Sequence, residues 1–214
     1  PSVGLSPGHG AVSLNVTIVD PSGPGFATVY PCGEEPPAAS NINWTTAGGV
    51  YPNAVLSKIG DGNAVCVFTL VDADILVDVN GGFAENGSFE SLVPGRVLDT
   101  RPDQPVESVV AGGLNGVGRV SAQQVITVPV AGLANVSPDA TAVSLNVTVV
   151  NPADFGFATV YPCGEEPPAA SNVNYSPGGV YPNAVLSKIG TGGAVCIFTL
   201  AEADILVDVN GAFD

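Results

Sequence analysis

Residues 29–41 read VYPCGEEPPAASN, and residues 160–172 repeat those thirteen letters without a change. The duplication extends well beyond this stretch: GVYPNAVLSKIG recurs at 49–60 and 179–190, and ADILVDVNG at 73–81 and 203–211. Cys163 stands 131 residues after Cys32, and Cys196 stands 130 after Cys66. The one-residue slip falls where Trp44-Thr45-Thr46-Ala47-Gly48 faces the shorter Tyr175-Ser176-Pro177-Gly178. A repeat of this length constrains the fold more than any single motif. A unit of about 130 residues is a domain that buries its own core, too long for one turn of a solenoid. The chain is therefore expected to be two beads, and each strand is readable twice.

The beads are not equal in sequence. Residues 1–83 match 132–213, whereas 84–131 have no second copy. This divides the chain into a first copy at 1–83 lacking its N-terminal third, a linker at 84–93 and a complete second copy at 94–214. On this reading the chain starts inside a unit and is a piece of a longer repeat protein.

The strand signal is clear. AVSLNVTIV (11–19) alternates Val12, Leu14, Val16 and Ile18 against Ser13, Asn15 and Thr17, the period of two of a half-buried strand, and TAVSLNVTVV (141–150) repeats it. GFATVYP, NAVLSKIG, NAVCVFTL and ADILVDVNG follow, each closed by Gly, Pro or Asn. In ADILVDVNG the alternation puts Ile75, Val77 and Val79 in the core and Asp74, Asp78 and Asn80 opposite. Asp61-Gly62-Asn63 reads as a hairpin turn between two strands. With 27 Gly and 19 Pro and no 3.6-residue apolar period, helices are not expected. Eight or nine short strands per unit predict an all-β fold: tandem antiparallel β-sandwiches, jelly-roll or Ig-like, with a small β-barrel as the alternative.

Charge restricts the partners. The net charge is −15, and Lys58, Arg96, Arg101, Arg119 and Lys188 are the only strong bases. Phosphate backbones need clustered Lys and Arg, so nucleic acid is not an expected partner. An anionic membrane surface is disfavoured for the same reason, and no apolar run is long enough to insert as a helix.

The four cysteines fall two per copy, with no CxxC pair and one histidine in the chain, His9, so a zinc site is not expected. The predicted pairing is Cys32 with Cys66 and Cys163 with Cys196. Disulfides persist in oxidising compartments, which places the protein outside the cell, secreted or on the cell surface.

Catalysis finds no support. His9 is replaced by Asp139-Ala140 in the second copy, so no Ser-His-Asp arrangement exists in both. Glu34-Glu35 and Glu165-Glu166 read as solvated acidic loops rather than a paired-carboxylate site. No metal or other cofactor is expected: one strand carrying Asp78 and Asn80, or Asp208 and Asn210, offers too few oxygens for a hard cation. The expected role of these acids is a polar network in which Arg96 or Arg101 pairs with Asp99 or Asp208, beside Asn210. Trp44 and Tyr175 are candidates for stacking on a sugar ring, against the alternative that they fill the core.

The order GRVLDTRP (95–102), AVSLNVTVVNP (142–152), GFATVYPCG (156–164), SNVNY (171–175), PNAVLSKIG (182–190) and ILVDVNGAF (205–213) resembles a tandem repeat of large secreted and surface-attached proteins of actinobacteria and relatives. The resemblance covers 94–213, and 11–83 as a unit short of its first third. Gly82 and Ala212 stand where that repeat often has Tyr. It implies an extracellular, multi-unit, non-enzymatic context. Two functions follow as expectations: a structural or adhesive module that self-associates into a fibre by strand complementation, or a carbohydrate-binding module for surface glycans.

Overall fold

A computed structural model of the chain describes residues 8–85, 87–105 and 108–214, without the side chain of Asn80. The described residues are all-β. The first copy supplies β1 (His9–Val19), β2 (Gly25–Pro31), β3 (Ile42–Trp44), β4 (Val50–Lys58), β5 (Val65–Thr69) and β6 (Asp74–Ala84). The unduplicated segment supplies β7 (Phe89–Asp99), β8 (Leu114–Asn115) and β9 (Gln124–Pro129). The second copy supplies β10 (Ala142–Val150), β11 (Gly156–Pro162), β12 (Val173–Tyr175), β13 (Val180–Lys188), β14 (Ala194–Thr199) and β15 (Asp204–Phe213).

The second copy is a full sandwich. One sheet runs β13-β10-β15-β7-β8 and the other β12-β11-β14-β9. Pairing is antiparallel except between β7 and β8. The first copy repeats the design with fewer strands, β4-β1-β6 over β3-β2-β5. None of the four sheets closes into a barrel. Each copy has its own apolar core: Leu145, Val147, Ile197 and Ile205 lie in one, and Leu14, Val16, Val29 and Ile42 in the other.

Two sequence expectations change. The segment 84–93, read as a linker, is largely strand: β7 begins at Phe89, which pairs with Phe213 and packs on it in a tilted arrangement at 4.8 Å between ring centroids. Phe83 of the first copy packs on the same ring at 4.6 Å, so this aromatic cluster ties the copies together. The Asp61-Gly62-Asn63 turn joins no hairpin. A lone bridge links Gly60 to Ala64; β4 before it pairs in the β1 sheet, and β5 after it in the β2 sheet. The chain crosses between layers here because Gly60 runs against the Cys32 backbone, where a Cβ would collide; Gly190 does the same beside Cys163.

Each disulfide staples neighbouring strands of one sheet, with Cys66 and Cys196 alternating with the core-facing Val65 and Val67, and Val195 and Ile197. Cys32 bonds Cys66 and Cys163 bonds Cys196, with Cα atoms 5.0 and 4.9 Å apart. Each joins the residue just after β2 or β11 to the neighbouring strand, β5 or β14.

Candidate functional site

The register on the outer face of the second copy sets a polar row across three strands. Asn146 on β10 faces Asp208 on β15, which faces Arg96 on β7. Arg96 grips the Asp208 carboxylate with two hydrogen bonds, Nε donating at 2.8 Å and Nη2 at 3.2 Å. Arg96 also reaches Asp99 at 3.5 Å, and Arg101 donates to Asp99 at 3.0 and 2.7 Å. The expected network is thus assembled from the four charged residues named for it. Asn210 is buried beside them in sequence but stands outside the network, its Oδ1 without a partner. Burial lowers the proton affinity of the Arg96 guanidinium, but the Asp208 and Asp99 carboxylates more than reverse this and leave it above the ordinary arginine value. Burial pushes the Asp208 carboxyl up, opposed by Arg96 and by a backbone N–H from Ser40. A buried pair of this geometry is satisfied only while both partners stay in place.

Ser40 belongs to the first copy, and it marks a junction. The loop Pro37–Ser40 lies over the outer face of the second copy. The Asn146 side-chain amide donates to the Ser40 carbonyl at 2.5 Å. Asn53 braces the loop by donating to the Asn41 carbonyl at 2.6 Å, and it also meets Asn146 Oδ1 at 3.4 Å. β4 packs near β7, β13 and β15. A cleft of about 370 Å³ remains at the seam, with Phe26 and Pro37 on one wall and Arg101, Val180 and Leu206 on the other. Sequence reasoning missed this junction because the letters are the same in both copies; only the environment differs.

Arg119 was also not foreseen as a site residue. It lies in the unduplicated segment, and it donates to Glu202 Oε1, Asp204 Oδ2 and the Asn151 carbonyl, each at 2.8 Å. Thr100 completes Asp204 with a 3.0 Å hydrogen bond.

The first copy has the same acids without these partners. Asp72, Asp74 and Asp78, the counterparts of Glu202, Asp204 and Asp208, are exposed and form no ion pair among the described residues. The Asn80 side chain lies outside the described residues. The apolar side of β6 corrects the sequence reading. Ile75 and Val77, expected in the core, are 38% and 46% exposed, whereas Ile205 and Val207 are fully buried. The cause is the sheet edges: among the described residues nothing equivalent to β7 pairs with β6, and nothing equivalent to β9 extends the opposite sheet beside β5.

The aromatic candidates sit inside. Trp44 is 3% exposed, stacks on Tyr51 and donates its indole N–H to the Gly23 carbonyl at 2.6 Å. Tyr175 is buried, and its hydroxyl meets Thr199 Oγ1 at 2.7 Å and accepts from the Ala201 N–H at 3.0 Å. Neither ring offers a free face to a pyranose. The Glu34-Glu35 and Glu165-Glu166 pairs are exposed. Among the described residues no three His, Cys, Asp or Glu side chains converge on a point where a metal would sit. Among them, too, no helix is long and apolar enough to cross a membrane. Comparison with family models, with curated proteins and with solved structures finds no match to this chain.

Proposed function

We propose that this chain is a non-enzymatic structural or adhesive repeat module of an extracellular fibre, and that its first copy is an acceptor for complementing strands. One observation carries the reading: a near-identical strand is sealed as β15 and open as β6. An open edge leaves a row of unpaired N–H and C=O groups and invites another strand. Among the described residues the segment 84–131 supplies its strands β7, β8 and β9 to the second copy, which leaves β6 and β5 as sheet edges in the first. The exposed Asp72, Asp74 and Asp78 supply charge complementarity to a donor carrying arginines placed like Arg96 and Arg119. Two disulfides agree with an oxidising exterior.

The test adds a synthetic 84–131 peptide to the purified chain and follows amide exchange. The expected result is saturable binding with slowed exchange along β5 and β6, lost when the peptide carries Arg96→Ala. If β6 is already as protected as β15 in the monomer, or the peptide leaves it unchanged, the acceptor reading fails.

A further inference from the structure

The seam inside the chain has two halves, and each recurs unpaired at the opposite end. The half given by the first copy is Phe26 with Pro37–Ser40. Its duplicate, Phe157 with Pro168–Ser171, lines an open hollow of about 320 Å³ on the second copy, and the loop is exposed where Ala39 is buried. The receiving half is Asn146, Thr148, Val180 and Leu206. Its duplicate in the first copy is Asn15, Thr17, Val50 and Leu76. Val50 and Leu76 are 63% and 57% exposed, whereas Leu206 at the covered seam is 5%. The receiving amide is already set: Asn15 Nδ2 leans on Thr17 Oγ1 at 3.4 Å, the distance Asn146 keeps to Thr148.

The geometry points to a head-to-tail interface between chains, in which the Pro168–Ser171 loop of one chain docks on the Asn15/Leu76 face of a second copy of this chain. The Ser171 carbonyl takes the hydrogen bond of the Asn15 amide, and Phe157 and Pro168 cover Val50 and Leu76. These are the contacts of the internal seam moved on by one unit. The loop and the face are different surfaces at different ends, so the contact is heterologous and open, and it grows a line rather than a closed dimer. The inference rests on the module reading but not on strand complementation. The loop lies on the sheet face and leaves the β6 backbone edge unpaired.

The experiment uses the full chain and two surface substitutions. Leu76→Glu disables the receiving face and Ala169→Glu the docking loop. Sedimentation velocity of the unmodified chain is expected to show species growing with concentration. Each variant alone is expected to stay monomeric, and an equimolar mixture of the two to form a complex of two chains and no larger. Val50→Glu should behave as Leu76→Glu does, with melting temperatures of all three held near the parent value. A parent chain that stays monomeric up to its solubility limit overturns the inference. So does growth that survives Ala169→Glu, or a mixture that remains monomeric. Failure of the acceptor reading looks different: the 84–131 peptide leaves β6 exchange unchanged while Ala169→Glu still abolishes growth.

Discussion

Asp208 and Asp78 are the same residue in the same strand sequence, yet they should respond very unequally to removal. Asp208 is 1% exposed and held by two hydrogen bonds from Arg96. Asp208→Ala leaves a buried guanidinium without its main partner, and the expected loss is about 3–5 kcal/mol in the second copy. Asp78→Ala removes an exposed, unpaired carboxylate, and the expected change is within about 0.5 kcal/mol. Urea titrations of the two variants check this, and equal losses would contradict it. Trp44→Ala belongs with Asp208: a buried ring anchored to Gly23 should cost about 3–5 kcal/mol of stability in the first copy. The network's charged members were legible in sequence because an acid on a strand flanked by apolar residues requires a base, and few bases exist. Arg119 was not, since its Gly-rich surroundings carry no periodicity that places it against Asp204. The Ser40 contact was hidden for another reason: Ser40 and Ser171 have identical neighbours, and only the fold decides which is covered.

At the scale of elements, alternation told which side of each strand faces inward and nothing about which strand lies beside it. Val12, Leu14, Val16 and Ile18 are buried as the period of two requires. The assignment of β4 and β5 to different sheets was not readable, because a Gly-rich turn fits both a hairpin and a crossing between layers. Burial of Ile75 and Val77 failed for a related reason: a core-facing side chain needs an opposite sheet wide enough to meet it, and the first copy's sheet stops at β5. The consequence is measurable strand by strand. Amides of β15, paired on both sides by β10 and β7, should exchange as slowly as the second copy unfolds globally. Amides of β6, which among the described residues pairs with β1 alone, should exchange faster at the free edge by at least an order of magnitude. Proteolytic fragmentation with mass spectrometry separates the two strands, since Val71-Asp72 and Ala201-Glu202 differ just before them. Equal protection would mean that the open edge of β6 is closed in solution.

For the whole molecule, the two beads share a sequence and differ in completeness, so they should not unfold together. The second copy buries a core spanning sheets of five and four strands, the first a core spanning three and three. Apolar burial scales with the surface removed from water, and the first copy leaves Ile75, Leu76 and Val77 in solvent. Trp44, the only tryptophan in the chain, lies in the first copy's core and reports on that bead alone. Its fluorescence in urea should therefore change at lower denaturant than the exchange-detected opening of β15, which gives two transitions where equal beads would give one. The disulfides sharpen the difference. Each closes a loop of similar length, with sequence separations of 34 for Cys32–Cys66 and 33 for Cys163–Cys196, so removal should cost each bead a similar amount, about 3–4 kcal/mol in the chain-entropy model. The same loss is a larger fraction of the smaller bead's stability. Replacing Cys32 and Cys66 by Ala should leave the first copy unfolded or nearly so near room temperature, with the Trp44 emission already shifted to that of a solvated indole in water. Replacing Cys163 and Cys196 should instead lower the second transition and leave the bead folded. A first copy that keeps its native Trp44 emission without its disulfide would show that the three-over-three sandwich is sealed by something other than its own strands, and saturating 84–131 peptide is the first candidate to test for restoring it.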